Sequence, residues 1–456
     1  MKYQSTRGKV SQLTFKQAVM MGLASDGGLL LPESIPDVSQ CLPEFKNLTY
    51  AQLAYEVMSL YITDIEESEL KAIINKSYAT FSHPDIVPLR TIGDINILEL
   101  FHGPTLAFKD VALQFLGNVF EHILKESGSR VNILGATSGD TGSAAIAGVR
   151  GKDNIDVYIM FPEGKTSPLQ ELQMTSVLDA NVHNIGINGS FDDCQSLLKT
   201  IFSDLEFKDS YQLAAVNSVN WARVLAQVVY YFSAYNQLGQ PKKFDVCVPT
   251  GNFGNVLAGY IAKQMGLPIA RLIIATNSND ILARFFRTGI YERGDVNFTH
   301  SPAMDIQVAS NFERYLFYKL DQNADKLTEF MKKFSETGRA ELRFNSERFD
   351  RDFVAASVSN EETIQTVKKY HETFNYLVDP HTAVGISVAE KVIDADVPLV
   401  CLSTAHPAKF NDVMAQALPG VEVTHPSLEV LKGRETRKIV MDADIEAIKS
   451  LIKETQ

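Results

Sequence analysis

Five short runs carry residue types from which a reaction site can be assembled, and each falls where a β-branched stretch gives way to a helical one. The first is His102-Gly103-Pro104-Thr105-Leu106-Ala107-Phe108-Lys109-Asp110. It puts a lysine at the mouth of a sheet, where open α/β folds bind ligands beyond the carboxyl ends of their strands. A cation beside the positive end of a helix sits poorly unless something anionic or covalent occupies it. A solvated lysine at a helix start meets the same local pattern, so the role of Lys109 depends on its neighbours.

Two further runs have the composition of anion cradles. Gly135-Ala136-Thr137-Ser138-Gly139-Asp140-Thr141-Gly142 follows the apolar run Val131 to Leu134 and precedes an Ala-rich helical stretch. Glycines allow close backbone approach, hydroxyls add donors, and a helix N-terminus offers unpaired amides to a carboxylate or phosphate. One Ser or Asp would suffice to cap such a helix, and this run holds more than that. Pro249-Thr250-Gly251-Asn252-Phe253-Gly254-Asn255 is a second loop of this kind, neither GxGxxG nor a Walker loop, and reads as a phosphate cup. Gly164-Lys165-Thr166 resembles the end of a P-loop, but the upstream glycine position holds Ile159, so a nucleoside triphosphate is not indicated.

Asn217-Ser218-Val219-Asn220-Trp221-Ala222-Arg223 offers amide and hydroxyl donors before an arginine able to grip a phosphate with two parallel bonds. An N-capped helix with a surface arginine accounts for it equally well in isolation. Leu402-Ser403-Thr404-Ala405-His406-Pro407 is a hydroxyl pair at a strand end, for which capping is again an alternative. His381 and His406 could carry protons, but histidines in turns are more often hydrogen-bonded scaffolding, and neither is assigned a role.

The elements that must position these runs follow from periodicity. From about residue 96 to 274, short β-branched runs alternate with helical segments, as in parallel βαβ units of an α/β fold. Expected strands are Ile95 to Phe101, Val131 to Gly135, Ile155 to Phe161, Val182 to Ile187, Gln212 to Val216, Phe244 to Pro249, Leu272 to Ala275 and Val397 to Ser403. Helices are expected over Thr14 to Leu23, Thr49 to Tyr61, Val111 to His122, Ser143 to Val149, Val256 to Met265 and Pro407 to Ala417. Asp321 to Tyr376, rich in Lys, Glu and Phe at helical spacing, reads as a helical insertion.

Bulk properties narrow the function. The 456 residues, 45% hydrophobic, are enough for two or three domains with large cores. The formal charge of -12 opposes nucleic acid and anionic membrane, and any anionic substrate must be held by local groups. Four scattered cysteines suggest buried reduced thiols, and nine histidines form no metal-binding pattern. The first residues lack an apolar signal core, and no run approaches the about 18 apolar residues of a membrane span, so a cytoplasmic location is expected.

Together and in this order, the five runs resemble the threonine synthases of the tryptophan-synthase-β-like, fold type II family of pyridoxal-phosphate enzymes, over almost the whole chain. The HGPTLAFKD run carries the resemblance most specifically. Ser25-Asp26-Gly27-Gly28-Leu29 resembles the N-terminal domain of those enzymes, which the related dehydratases lack. The resemblance implies open, mostly parallel sheets in two α/β domains with pyridoxal 5'-phosphate between them, at residues 95–240 and 241–456, after an N-terminal domain at 1–94. It implies that Lys109 forms the Schiff base, that Gly251, Asn252, Phe253, Gly254 and Asn255 hold the cofactor phosphate, and that Thr404 meets the pyridine nitrogen. Thr137, Ser138, Asp140 and Thr141 would hold the substrate carboxylate, and Asn217, Ser218 and Arg223 the phosphate of O-phospho-L-homoserine. Many relatives have Asn where this chain has Asp140, and a carboxylate near the cofactor's 3'-oxygen is expected to be protonated or to share a proton. The implied activity is β,γ-elimination and replacement giving L-threonine. A phospho-lyase releasing a keto acid and a non-catalytic phosphate-metabolite sensor are the alternatives.

Overall fold

The computed structural model describes residues 1–137, 139–215, 218–342 and 350–455. Its N-terminal part opens with Tyr3–Ser5, paired antiparallel with Leu30–Pro32. Two helices follow where threonines cap them: Thr14 starts Phe15–Met21 and Thr49 starts Tyr50–Ser59, each in a capping box with a glutamine three residues on. A third helix, Glu67–Tyr78, completes this part. It is tied to the rest through Glu313, which accepts from Thr6 Oγ1 at 2.6 Å and from two nitrogens of Arg7 at 2.8 and 2.9 Å.

Two mostly parallel sheets form the body. The larger has the spatial order Phe353–Ser357, Ile269–Thr276, Phe244–Pro249, Leu399–Ser403, Ile95–Glu99 and Leu89–Ile92, with only the last strand antiparallel. The smaller, parallel throughout, runs Ile439–Asp442, Val182–Asn188, Ile155–Pro162, Val131–Ala136 and Leu213–Ala215. The α/β expectation therefore holds, and the expected strands lie within a few residues of those observed; Val216 lies outside the described residues. Sheet membership crosses the divisions read from the chain at 95 and 241. Ile95–Glu99 joins strands from residues 244–403, and Ile439–Asp442 extends the sheet begun at Val131.

The segment Asp321 to Tyr376 is not wholly helical. Helices Ala324–Thr337 and Asn360–Phe374 are present, but Arg339–Glu341 pairs with Ile290–Glu292 and Phe353–Ser357 forms an edge strand parallel to Ile269–Thr276. Its Ala-Ala pair favours helix in isolation, and pairing to a buried neighbour overrides that preference. Cysteines 194, 247 and 401 are buried and free as expected, whereas Cys41 is exposed.

Helix Lys109–Ser127 packs on helix Asp140–Val149. Gly117 and Gly148 allow the close approach, since a Cβ on Gly117 would lie 2.0 Å from the Gly148 carbonyl oxygen. These helices begin with two candidate site residues, so their contact sets how far apart Lys109 and Asp140 stand. Gly117→Ala should lower the unfolding free energy by about 1–3 kcal/mol, read from a urea titration, because neither backbone can retreat without separating those residues.

Candidate active site

The larger sheet delivers the Lys109 run from the end of Ile95–Glu99 and the Thr404 run from the end of the adjacent Leu399–Ser403. Backbone bonds zip the two together. Phe108 N–H donates to the Thr404 carbonyl at 2.8 Å, His406 N–H to that of Leu106 at 3.0 Å, and Ala107 bridges Ala405. Asp110, in the first turn of the lysine's helix, accepts from Thr105 N–H at 2.8 Å and Thr105 Oγ1 at 2.7 Å, which fixes the turn before Lys109. Thr404 is itself buried.

Lys109 is the first residue of its helix and only 13% of its side chain is exposed. Its Nζ stands 3.9 Å from Asp140 Oδ2. Burial pushes its proton affinity down, with Lys409 and Arg223 adding to the effect and Asp140 and Asp110 opposing it. The nitrogen is thus inside the fold.

Asp140 opens its helix under two buried positive neighbours. Its Oδ1 pairs with Lys409 Nζ at 2.8 Å and accepts from Gln170 Nε2 at 2.9 Å, while Oδ2 faces Lys109. Burial alone would raise its pKa, but Lys409 and Lys109 outweigh burial and hold the carboxyl well below the usual range. Lys409, which the sequence reading missed, supplies the buried positive partner of Asp140. Lys409 sits in a short Pro-started turn after the Thr404 run, and only that position after a buried strand marks it in the sequence.

Thr137 is buried within its loop. Its Oγ1 accepts from Gly139 and Gly142 N–H groups, both at 3.0 Å, and donates to the Gly139 carbonyl, so it staples the loop internally. Thr141 is half-buried in the first helical turn, and Ser138 lies outside the described residues.

The 250–255 loop joins strand Phe244–Pro249 to helix Gly254–Gln264. Thr250 Oγ1 donates to the Val248 carbonyl at 2.6 Å, and Thr250 N–H to that of Ala275 at 2.8 Å. Phe253 turns the chain with φ 62° and, without a side-chain cap, leaves the first amides of helix Gly254–Gln264 uncapped. Its ring is stacked on Phe286 and edge-on to Phe312, which stabilises a conformation that is rare for Phe. Gly251 lies against the Ala303 carbonyl, 2.8 Å from where a Cβ would stand, and Asn252, itself exposed, accepts from Asn311 N–H. Asn255 Oδ1 accepts from Tyr230 at 2.5 Å and Tyr231 at 3.0 Å, so its Nδ2 must be the outward donor, and that buried nitrogen has no partner among the described residues. Free amides and an orphan N–H suit a phosphate.

Arg223 presents a second unmet demand. It is 5% exposed, and its Nε and one terminal nitrogen have no partner among the described residues; burial pushes its pKa down to about 10. It lies on helix Trp221–Gln237, where Gln227 Nε2 donates to its carbonyl and Tyr230 donates in turn to Gln227 Oε1 and Asn255. The preceding loop is pinned from the N-terminal part. Asn220 Nδ2 donates to the Val19 carbonyl, and buried Arg314 bridges the Leu30 and Val219 carbonyls. Ser218 offers its carbonyl to Asn311 Nδ2 at 3.0 Å, and Asn217 lies outside the described residues.

Both histidines are engaged in hydrogen bonds to the backbone. His381 Nε2 accepts from Ala303 N–H at 3.2 Å, so Nδ1 carries the proton given to Asp379 at 2.9 Å, and the wall behind Gly251 is braced. His406 Nδ1 accepts from Ala408 N–H, and burial pushes its pKa down to about 4.

Three family models match in succession: threonine synthase N terminus over residues 2–78, pyridoxal-phosphate dependent enzyme over 92–400, and threonine synthase, C-terminal, over 382–452. A threonine synthase of Schizosaccharomyces pombe is 49% identical, covering 91% of this chain and 89% of that one. The chain belongs to the threonine synthase family. Among solved threonine synthases, the pyridoxal-phosphate-bound one from Brucella melitensis is 43% identical with a TM-score of 0.96, covering 100% of this chain and 99% of that one. The yeast enzyme is 42% identical with a TM-score of 0.94, covering 100% and 98%. Membership in this fold type II family makes pyridoxal 5'-phosphate the cofactor, and the orphan donors around the 250–255 loop fit it.

Arg223→Met should raise the unfolding free energy of the ligand-free protein by about 1–4 kcal/mol, by removing an uncompensated buried charge. Inorganic phosphate should raise the melting temperature of the wild type more than that of this variant. Tyr230→Phe, leaving Asn255 oriented by Tyr231 alone, should weaken pyridoxal-phosphate binding about five- to tenfold in a fluorescence titration.

Proposed function

We propose that this chain is a threonine synthase, converting O-phospho-L-homoserine and water to L-threonine and phosphate. The observation that carries this reading is the buried Arg223 guanidinium, whose Nε and one terminal nitrogen have no partner among the described residues and whose charge bears on Lys109, in addition to the separate 250–255 cup. One amine thus has two anion sites, one for the cofactor's phosphate and one for the substrate's.

Pyridoxal 5'-phosphate, when bound, supplies an aldehyde that condenses with amines and a ring that takes up electrons released at the substrate. Gly251, Asn252, Phe253, Gly254 and Asn255 hold its phosphate, and Thr404 offers its pyridine nitrogen a hydroxyl, which unlike a carboxylate does not enforce protonation there. Ser138, Thr141 and the amides stapled by Thr137 bind the substrate carboxylate, beside Asp140. Asn217, Ser218 and Arg223 grip the γ-phosphate and orient its bond to Cγ for cleavage. Lys109 is placed to take the Cα proton and, once it has passed that proton on, one from Cβ; burial and neighbouring cations favour its neutral form when it must act as base. Phosphate leaves from Cγ, protons return to Cγ and Cα, and water adds its hydroxyl at Cβ while its remaining proton goes to the released phosphate.

The protein acts on this small molecule in the cytoplasm, without nucleic-acid or membrane partners. Among the described residues no helix is long and apolar enough to cross a membrane. Incubated with O-phospho-L-homoserine and pyridoxal 5'-phosphate, the protein should give equimolar L-threonine and phosphate by NMR. 2-Oxobutyrate in place of threonine would make it a phospho-lyase, and binding without turnover a sensor. Lys109→Ala should lose the cofactor's bound absorbance band and reduce turnover by about 10³-fold or more.

A further inference from the structure

Lys409 has no part in the reaction as written, yet its side chain is wholly buried at the centre of the site. The ammonium gives one hydrogen bond to the Thr105 carbonyl at 2.6 Å and a second, charged contact to Asp140 Oδ1 at 2.8 Å. It therefore joins three runs that are remote in sequence: its own turn, the turn before Lys109 and the helix that starts at Asp140. Bracing alone would not call for a charge, because a buried ion pair replaced by apolar groups of similar size often costs nothing.

The arrangement around Asp140 is asymmetric. Oδ1 is committed to Lys409 and Gln170, whereas Oδ2 is left facing Lys109 at 3.9 Å. A lone buried carboxylate at that distance would hold Lys109 as an ammonium ion, the form that can neither condense with an aldehyde nor accept a proton. Together with Lys409, the carboxylate forms a pair of zero net charge, electrostatically closer to a neutral amide at that position.

Resting on the reading of Lys109 as the Schiff-base lysine, we propose that Lys409 is a positioning residue that orients ionised Asp140 and cancels its charge, so that Asp140 does not trap Lys109 as an ammonium ion. The charged groups facing Lys109 are Asp140, Lys409, Arg223 and Asp110. Of these, Asp140 and Lys409 act with opposite sign and touch each other, so their removal singly and together separates charge balance from bracing.

The test follows the pH dependence with which the full chain, freed of cofactor, captures added pyridoxal 5'-phosphate on Lys109. Capture is read by absorbance and confirmed by borohydride trapping and mass spectrometry of the modified lysine. Lys409→Met should move the midpoint up by about one pH unit or more, since it leaves Asp140 unbalanced. Asp140→Asn should move it down, and the double variant should return it to near the wild-type value. Unmoved midpoints in both single variants, or a double variant displaced as far as Lys409→Met alone, would overturn the proposal. If Lys409→Met does not fold, Asp140→Asn and the double variant carry the comparison, and equal midpoints in those two would overturn it. A wild-type chain that captures no cofactor on Lys109 would overturn the proposed function as well, whereas normal capture with unmoved midpoints defeats the role of Lys409 alone.

Discussion

Positive charge buried in excess of negative charge is the constraint on which the site depends. Lys109 and Lys409 face the carboxylate of Asp140, and the charges of Arg223 and Asp110 also bear on Lys109, within a chain whose formal charge is -12. Desolvated cations without full compensation are costly, and a fold retains them at the expense of its own stability unless a ligand completes the balance. A phosphate at Arg223 and another at the 250–255 loop would do so. The acidic exterior is then no obstacle, because attraction is exerted at short range, where burial lowers the screening of each contact.

Such a cluster needs walls that do not yield. The Trp221–Gln237 helix is nearly all buried and serves both anion sites at once, carrying Arg223 at its start and orienting Asn255 through Tyr230 and Tyr231 further along. Arg314 has no carboxylate partner among the described residues, and its guanidinium is satisfied by Asn311 and by carbonyls of Leu30 and Val219. It thereby pins the loop before Arg223 to the N-terminal strand pair. The N-terminal part, remote from Lys109 in sequence, thus helps to shape the pocket.

What the sequence discloses is what local chemistry determines. Lys109, the two loops of glycine and hydroxyl residues and most strands are legible because strand, loop and helix follow one another within a dozen residues and leave their composition behind. Lys409 is not legible, since one lysine in a Pro-Ala-Lys turn acquires meaning only from a carboxylate that arrives from another sheet. The charge state of Asp140 escapes for the same reason. Tyr230 and Tyr231 look like core within Val-Val-Tyr-Tyr-Phe, and only the hydroxyl geometry shows that they orient Asn255. The edge strand Phe353–Ser357 is hidden by small residues whose own preference is helical, and the exchange of strands between sheets is a long-range pairing that no local period records.

That exchange has a temporal side. The sheet started at Val131 is finished by Ile439–Asp442, and the helix that follows places Ile448 and Ile452 in the apolar cluster around Cys194 and Leu197. A ribosome emitting the chain from one end must therefore produce the whole of the larger sheet before it can supply the last strand of the smaller one. At usual elongation rates the gap is on the order of ten seconds or more. Throughout it the Val182–Asn188 edge is unpaired and the hollow beneath Cys194 uncovered, so the nascent protein carries a sticky margin that only its final stretch can close.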